Sequence, residues 1–299
     1  MYITYALITF ALWGIADLFY KLGNRGEDDY NHIKTGIFVG LVMGIHATIY
    51  LLINRVDVSI MDVVKYLPIS FFYISSMVIG YKGLKYLEVS ISSPIQNTSG
   101  VITAILLLIF FKEKLPIPAY LAIALIFIGI IGLSLIELKE NKDKRIKYRK
   151  NNPLSKIFVL TILFPLVYCV LDGLGTFLDA IYLDKLEIIS EDAALVAYEY
   201  TFLIYAIISY IYIRIKNVSL ELPKELSKIA AAIFETGGQF FYVFAMAGDS
   251  TIVAPIVGSY CVLSLLLGQF FLKEKLSIKQ YISIAIVIIG IVILSILDI

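Results

Sequence analysis

Glu235, Gln239 and Tyr242 stand at i, i+4 and i+7 in an otherwise apolar stretch, so a carboxylate, a carboxamide and a phenol share one helix face. Asp172, Thr176 and Asp179 repeat that spacing in a second stretch, and Glu199 sits between Tyr198 and Tyr200 in a third. Near the start, Trp13, Asp17 and Tyr20 lie on one face. Ionisable groups inside apolar segments are costly and normally face a cavity or a partner, which makes them the default site candidates. Asp172, Glu199 and Glu235 have no lysine or arginine at comparable depth in their own stretches; Lys82 is the nearest candidate partner. A carboxylate left uncompensated at low dielectric binds a proton or a cation. For Asp17 and Asp179 an interfacial role, or a bond to Lys21 or a tyrosine, reads as well as a cavity role. Gln96 and Asn97, followed by Thr98 and Ser99, open another stretch whose later counterpart reads Val257, Gly258, Ser259 and Tyr260. That divergence suits an asymmetric binding site or relaxed packing. His46 is able to shuttle protons near neutral pH, but reads first as a packed, hydrogen-bonded histidine.

The elements that must carry these groups follow from composition. Hydrophobic residues make up 60% of the 299 positions and charged residues 16%, against roughly 45–50% and about 25% in a soluble domain. Apolar runs of about 20 residues recur, each long enough to cross a hydrocarbon core of ~30 Å. Backbone groups in lipid must satisfy one another, so the runs are helices. The expected spans are 2–21, 33–53, 67–87, 92–111, 117–136, 157–182, 193–214, 227–247, 251–272 and 278–297. The first is not read as a cleavable signal: it lacks a basic leader, carries Asp17, and has no small-residue cleavage site before Lys21. Cys169 and Cys261 both fall in apolar spans and read as small packed hydrophobes. The net charge of +1 decides nothing.

The chain is internally duplicated. A constant offset of 161 residues aligns Pro94 with Pro255, Lys112-Glu113-Lys114-Leu115 with Lys273-Glu274-Lys275-Leu276, and Gly129 with Gly290. From Ser92/Val253 to Leu135/Ile296, 18 of 44 positions are identical, and a charged tetrapeptide held in register cannot be ascribed to shared apolar composition. The longest polar segment, 137–156, splits the ten spans into five and five. An odd number per half makes the second copy enter the membrane from the opposite side. The expected architecture is all-α: ten transmembrane helices in two inverted five-helix repeats, 1–136 and 157–299, joined by a basic loop, with any site near midplane between the halves. Gly36, Gly40 and Gly44 form a stripe that admits a close helix neighbour. Pro94 and Pro255 read as first-turn prolines of their spans. Ser277 with Gln280 resembles a capping box, and Glu113 and Glu274 are placed to hold the next helix's first amides.

The residues Ala11-Leu12-Trp13-Gly14, together with Pro94…Phe111-Lys112-Glu113-Lys114-Leu115 and Pro255…Leu272-Lys273-Glu274-Lys275-Leu276, resemble the drug/metabolite transporter superfamily, in its ten-span EamA-type branch. Lys112 and Lys273 depart from the glycine that often precedes the acid, and Pro116 from a frequent serine. The resemblance implies secondary transport of a small metabolite, such as an amino acid or amine, through a central cavity lined by spans 1, 3, 4, 6, 8 and 9. The expected substrate-binding set is Trp13, Asp17, Gln96, Asn97, Asp172, Glu199, Glu235, Gln239 and Tyr260. Protons are the candidate coupling ion; the other partners are a small-molecule substrate and the bilayer of the cell membrane, with no nucleic acid. No cofactor or metal site is expected, and the chain is expected to act as a monomer or homodimer. A multispan enzyme or lipid-handling or structural subunit is the alternative; with only His32 and His46 as histidines, no catalytic or metal constellation supports the enzyme. Orientation is a point of tension. One membrane side would hold Arg55, Lys65, Lys112, Lys114 and Lys185 and the other the remaining 20 basic residues, eight of them in 137–156. Basic bias places that loop in the cytoplasm and both termini outside, against the family habit.

Overall fold

The computed structural model describes residues 1–24, 28–83, 96, 98–112, 114–140 and 156–297. Among them are ten α-helices: α1 Tyr2–Gly23, α2 Asn31–Asn54, α3 Ile60–Gly83, α4 Ser99–Phe111, α5 Ile117–Glu140, α6 Lys156–Ala180, α7 Glu191–Ile215, α8 Leu226–Val257, α9 Cys261–Leu272 and α10 Ile278–Leu297. Eight are long and apolar enough to cross a membrane, and α4 and α9 are shorter apolar helices. A π-helical turn, Ile181–Lys185, ends α6, and a 3-10 turn, Leu222–Lys224, precedes α8.

Local chemistry moves several boundaries. The third helix begins at Ile60, seven residues before the expected 67, because Ser59 and Asp62 form a reciprocal cap: Ser59 N–H donates to Asp62 Oδ2 at 3.0 Å, and Asp62 N–H to Ser59 Oγ at 3.2 Å. Its expected end at 87 lies outside the described residues. The expected loop 137–156 is trimmed at its start, since α5 continues to Glu140; residues 141–155 lie outside the described set.

The ninth span departs furthest from expectation. Asp249 has extended backbone, φ −153° and ψ 91°, and its Oδ1 accepts the N–H groups of Thr251 and Ile252 at 3.1 and 3.2 Å. It is thus the N-cap of a new helical stretch, 250–257, so Pro255 lies in the second turn rather than the first. The proline deletes one backbone donor, and two residues later the helix gives way to a tight turn, Ser259 N–H bonding Ile256 O and Tyr260 N–H bonding Val257 O. The twelve residues of α9 rise only about 18 Å; the span crosses only when the 250–257 stretch is added. Pro94, its counterpart, lies outside the described residues.

The Lys112 and Lys273 positions also acquire a physical meaning. Both are left-handed caps, φ 50° and 57°, that end α4 and α9, a conformation glycine adopts without strain. Glu274 does not reach forward to α10. Its carboxylate lies back against Gly268, where an added Cβ would meet Oε2 at 2.9 Å and Lys21 Nζ at 3.6 Å. The first turn of α10 is held by Gln280, whose Oε1 accepts from Ser277 N–H at 2.7 Å and from Ser277 Oγ at 2.9 Å. Glu113 lies outside the described residues.

Packing runs between the halves. Helix α1 lies on α8 and α9, α3 on α6 and α7, α2 on α7 and α8, α4 on α6 and α8, and α5 on α10. Exchanging each first-half helix for its repeat counterpart, with 250–257 counted as the start of span 9, leaves this set of contacts unchanged. The counterpart glycines occupy matching seams: a Cβ at Gly129 would meet Val287 Cγ2 at 2.4 Å, and one at Gly290 would meet Ala122 O at 2.7 Å. The Gly36/Gly40/Gly44 stripe packs α2 on α7, with a Cβ at Gly40 falling 2.1 Å from Phe202 O. Here small residues act as in other membrane bundles, letting backbones touch. Cys169 and Cys261 are buried free thiols.

Candidate functional site

Helix periodicity turns the polar faces of α1, α3, α6 and α8 toward one another. They enclose a cavity of about 90 Å³ between the halves, lined on α1 by Trp13, Asp17 and Tyr20, on α3 by Tyr73, Met77 and Gly80, and on α6 by Tyr168, Asp172 and Thr176. Gln96, Tyr198 of α7, Glu235 and Gln239 of α8, and Tyr260 at the break in span 9 complete it. A side chamber of about 30 Å³ extends from the same Trp13, Gln96, Asp172 and Tyr260 toward Ser99, Gly100 and Gly258.

Two carboxylates in the wall, Asp172 and Asp17, are held by hydroxyls. Asp172 Oδ2 accepts from Ser99 Oγ at 2.7 Å, and Oδ1 lies 3.5 Å from Ser76 Oγ. Asp17 accepts a short hydrogen bond from Ser264 Oγ. Glu235 and Tyr20 line the same cavity. No lysine or arginine is among the lining residues, so this wall carries three acids and no base. Lys82 is exposed and lies outside the lining. Gln239 is buried, and its Nε2 finds no hydrogen-bond partner among the described residues.

Trp13 is fixed by its neighbours. Its Nε1 donates to Glu235 O at 3.2 Å, and a Cβ at Gly238 would meet its Cδ1 at 2.3 Å, so the pyrrole edge of the indole rests against a bare backbone. Tyr242 and Tyr260 stand 5.1 and 5.9 Å from it, centroid to centroid. One turn beyond Thr176 on α6, a tyrosine layer closes the cavity. Asp179, wholly buried, accepts a short hydrogen bond from Tyr66 and another from Tyr73 at 3.1 Å, and the Tyr242 hydroxyl lies 2.8 Å from that of Tyr73. Asp179 therefore sits behind the wall, bonded to tyrosines.

Trp13, Asp17, Gln96, Asp172, Glu235, Gln239 and Tyr260, all singled out from the sequence, line this one cavity. Asn97 lies outside the described residues. Glu199 does not line it: adjacent helical residues point about 100° apart, so α7 presents Tyr198 to the cavity and turns Glu199 to α2. There it meets His46, whose Nδ1 is 2.8 Å from Oε2. Sequence reasoning did not place Tyr73, Met77, Gly80, Tyr168 or Tyr198 in the wall. The signal available was a phenol in a span at helical spacing from an acid, as Tyr168 is to Asp172, and 21 tyrosines dilute it.

The EamA-like transporter family matches residues 1–135 and, a second time, residues 156–296. The chain belongs to that family. Each EamA match covers one five-helix half, and the cavity lies where the two meet. The protein is thus a multi-pass integral membrane transporter of the drug/metabolite transporter superfamily, whose EamA members are in general not enzymes. Among solved structures, one described only as "Crystal structure of protein" is similar with a TM-score of 0.68 at 12% identity, covering 98% of this chain and 96% of its own. That likeness speaks to fold alone. No curated protein matches the chain.

Proposed function

We propose that this EamA protein is a secondary transporter that moves a small amine-bearing cation across the cell membrane by alternating access of two inverted halves, with protons as the coupling ion. The observation that carries this reading is the wall of three carboxylates, Asp17, Asp172 and Glu235, without a lysine or arginine among the lining residues. Asp172 and Glu235, which no lysine or arginine among the lining residues faces, favour a proton or a bound cation beside them. Aromatic faces of Trp13, Tyr20 and Tyr260 add cation–π attraction for a desolvated ammonium. The orphan Gln239 amide supplies one donor for a neutral acceptor on the solute. An anionic solute would meet only repulsion in this wall.

Volume and symmetry support alternating access. About 90 Å³ holds a few waters, whereas ligand pockets occupy roughly 300–1,000 Å³, so loading requires the halves to part. The exchange-invariant contacts between halves fit a two-fold relation such as inverted repeats have, and the tyrosine layer around Asp179 supplies one closed end. The broken ninth span places irregular backbone at the cavity, where discontinuous helices of transporters form their sites.

The test is uptake into proteoliposomes of three matched solute sets: amines, zwitterionic amino acids and carboxylates. Uptake of amines, strongly reduced in Glu235→Gln, is expected. Uptake of carboxylates with none of amines overturns the cationic reading, and no uptake of any set together with hydrolysis of a solute overturns transport.

A further inference from the structure

Outside the cavity, one ionisable pair is buried at the seam of the two halves. His46 of α2 places Nδ1 2.9 Å from Glu199 Oε1 and 2.8 Å from Oε2 of α7, and Glu199 has no exposed side chain while a third of His46 remains exposed. The seam is tight, since Gly40 and Gly44 bring α2 onto Phe202 and Leu203 of α7. The groups facing the pair are few. On α2, Tyr50 stacks on His46 and donates to Asp192 Oδ1 at 2.5 Å; on α7 stand Asp192, Glu191 and Tyr200; from α8 the Phe240 ring approaches, 5.8 Å from the imidazole. No lysine or arginine is among them.

We propose that His46 and Glu199 form a proton-binding site between the halves, separate from the solute cavity. With Nδ1–H donated to the carboxylate, the neutral imidazole leaves Nε2 as its acceptor. Without the extra proton the pair carries a net −1 charge in a low-dielectric seam; a proton on Nε2 makes it neutral overall, and that is the form the membrane interior favours. The site sits one residue from the cavity on two helices. Tyr198 and Gln239 line the cavity, while Glu199 and Phe240 meet His46. A repacking of α2 on α7 that follows the proton therefore reaches the cavity wall through α7 and α8.

The chain has two histidines, His32 and His46, so the full-length protein labelled with 15N-histidine in lipid nanodiscs reports both rings, and His32→Asn assigns them. His46 is expected to pass from neutral to doubly protonated between about pH 5 and 8, with a midpoint displaced in Glu199→Gln. A His46 that keeps one protonation state over that range, or that titrates identically in Glu199→Gln, overturns the proposal. Should Glu199→Gln fail to fold, His46→Gln gives a second readout. The melting-temperature difference between wild type and His46→Gln should change across the same pH range, and parallel profiles overturn the site.

Discussion

Two charged regions of the molecule use the same residue types to opposite ends. At one membrane boundary, Lys34 Nζ lies 2.8 Å from Asp28 and 3.3 Å from Glu225, and Glu225 also holds Lys228 in a short contact. Lys34, Glu225 and Lys228 are buried. Two acids meet two bases, joining the start of α2 to the start of α8, so one half is clasped to the other. The central cavity gathers three acids, answers Asp172 and Asp17 with serine hydroxyls, and has no lysine or arginine among its lining residues. A neutralised cluster holds the fold together. Asp172 and Glu235, with no lysine or arginine among the lining residues to face them, await something positive, at the expense of stability. If this division is right, substitutions in the two regions must part company: cavity changes act on transport and spare stability, and boundary changes do the reverse.

The largest effect is expected in the cavity. Removing the charge of Glu235 or Asp172, as Glu235→Gln or Asp172→Asn, deletes a charge-assisted contact worth roughly 1.5–3 kcal/mol, which lowers affinity for a cationic solute by about 10- to 100-fold. The melting temperature should stay level or rise, because a partly desolvated charge with no lysine or arginine among its cavity neighbours has been removed. Proteoliposome uptake and a thermal melt on the same preparation read both quantities. A variant that loses several degrees while keeping its uptake would erase the contrast.

The boundary should answer with stability. Glu225→Gln leaves two buried lysines sharing Asp28 alone, and breaking a buried pair by removing one partner costs about 3–5 kcal/mol. A much lower melting temperature is expected, with the preference among amines, amino acids and carboxylates unchanged. Restoring balance sharpens the comparison: Glu225→Gln combined with Lys228→Met should recover part of the loss, as removal of both partners costs less than removal of one. A double variant no more stable than the single would show that the charges are not what clasps the halves.

Much of this was legible in the residues, and the failures have physical causes. The 161-residue offset announced two halves, and i, i+4, i+7 spacing placed Glu235 and Gln239 on one face and Asp172 with Thr176 on another, because helix geometry follows from covalent structure. Glu199 was misdirected because spacing within one helix does not say which neighbour that face meets; its partner, His46, stands 153 positions away. The early start of α3 lay in the Ser59–Asp62 cap, a polar signal in a segment judged by apolarity. The break in span 9 needed Asp249 to be recognised as a cap, which moved Pro255 from first turn to second. The left-handed turns at Lys112 and Lys273 carry neither glycine nor asparagine to mark them, so spacing alone did not reveal them.

The smallest expected effect belongs to Asp28, the exposed edge of the boundary cluster, and it tests the comparison through pH. Burial pushes this carboxyl up, but Lys34, together with the Tyr30 N–H, outweighs that and holds it below its ordinary 3.8. A carboxyl depressed in the folded state contributes stability that is fully present above its unfolded value and is lost as pH falls through the folded one. With its side chain 37% exposed, the pair is screened by water and ions and is worth at most about 1 kcal/mol. Asp28→Asn should therefore melt slightly below wild type at neutral pH, and the gap should close as the pH drops below about 4. High salt should narrow it too. A gap that persists in acid would mean that Asp28 serves by shape, through the turn it caps at Tyr30. Lys34 would then be balanced by Glu225 alone, and the neutral cluster of two acids and two bases would be one acid too large.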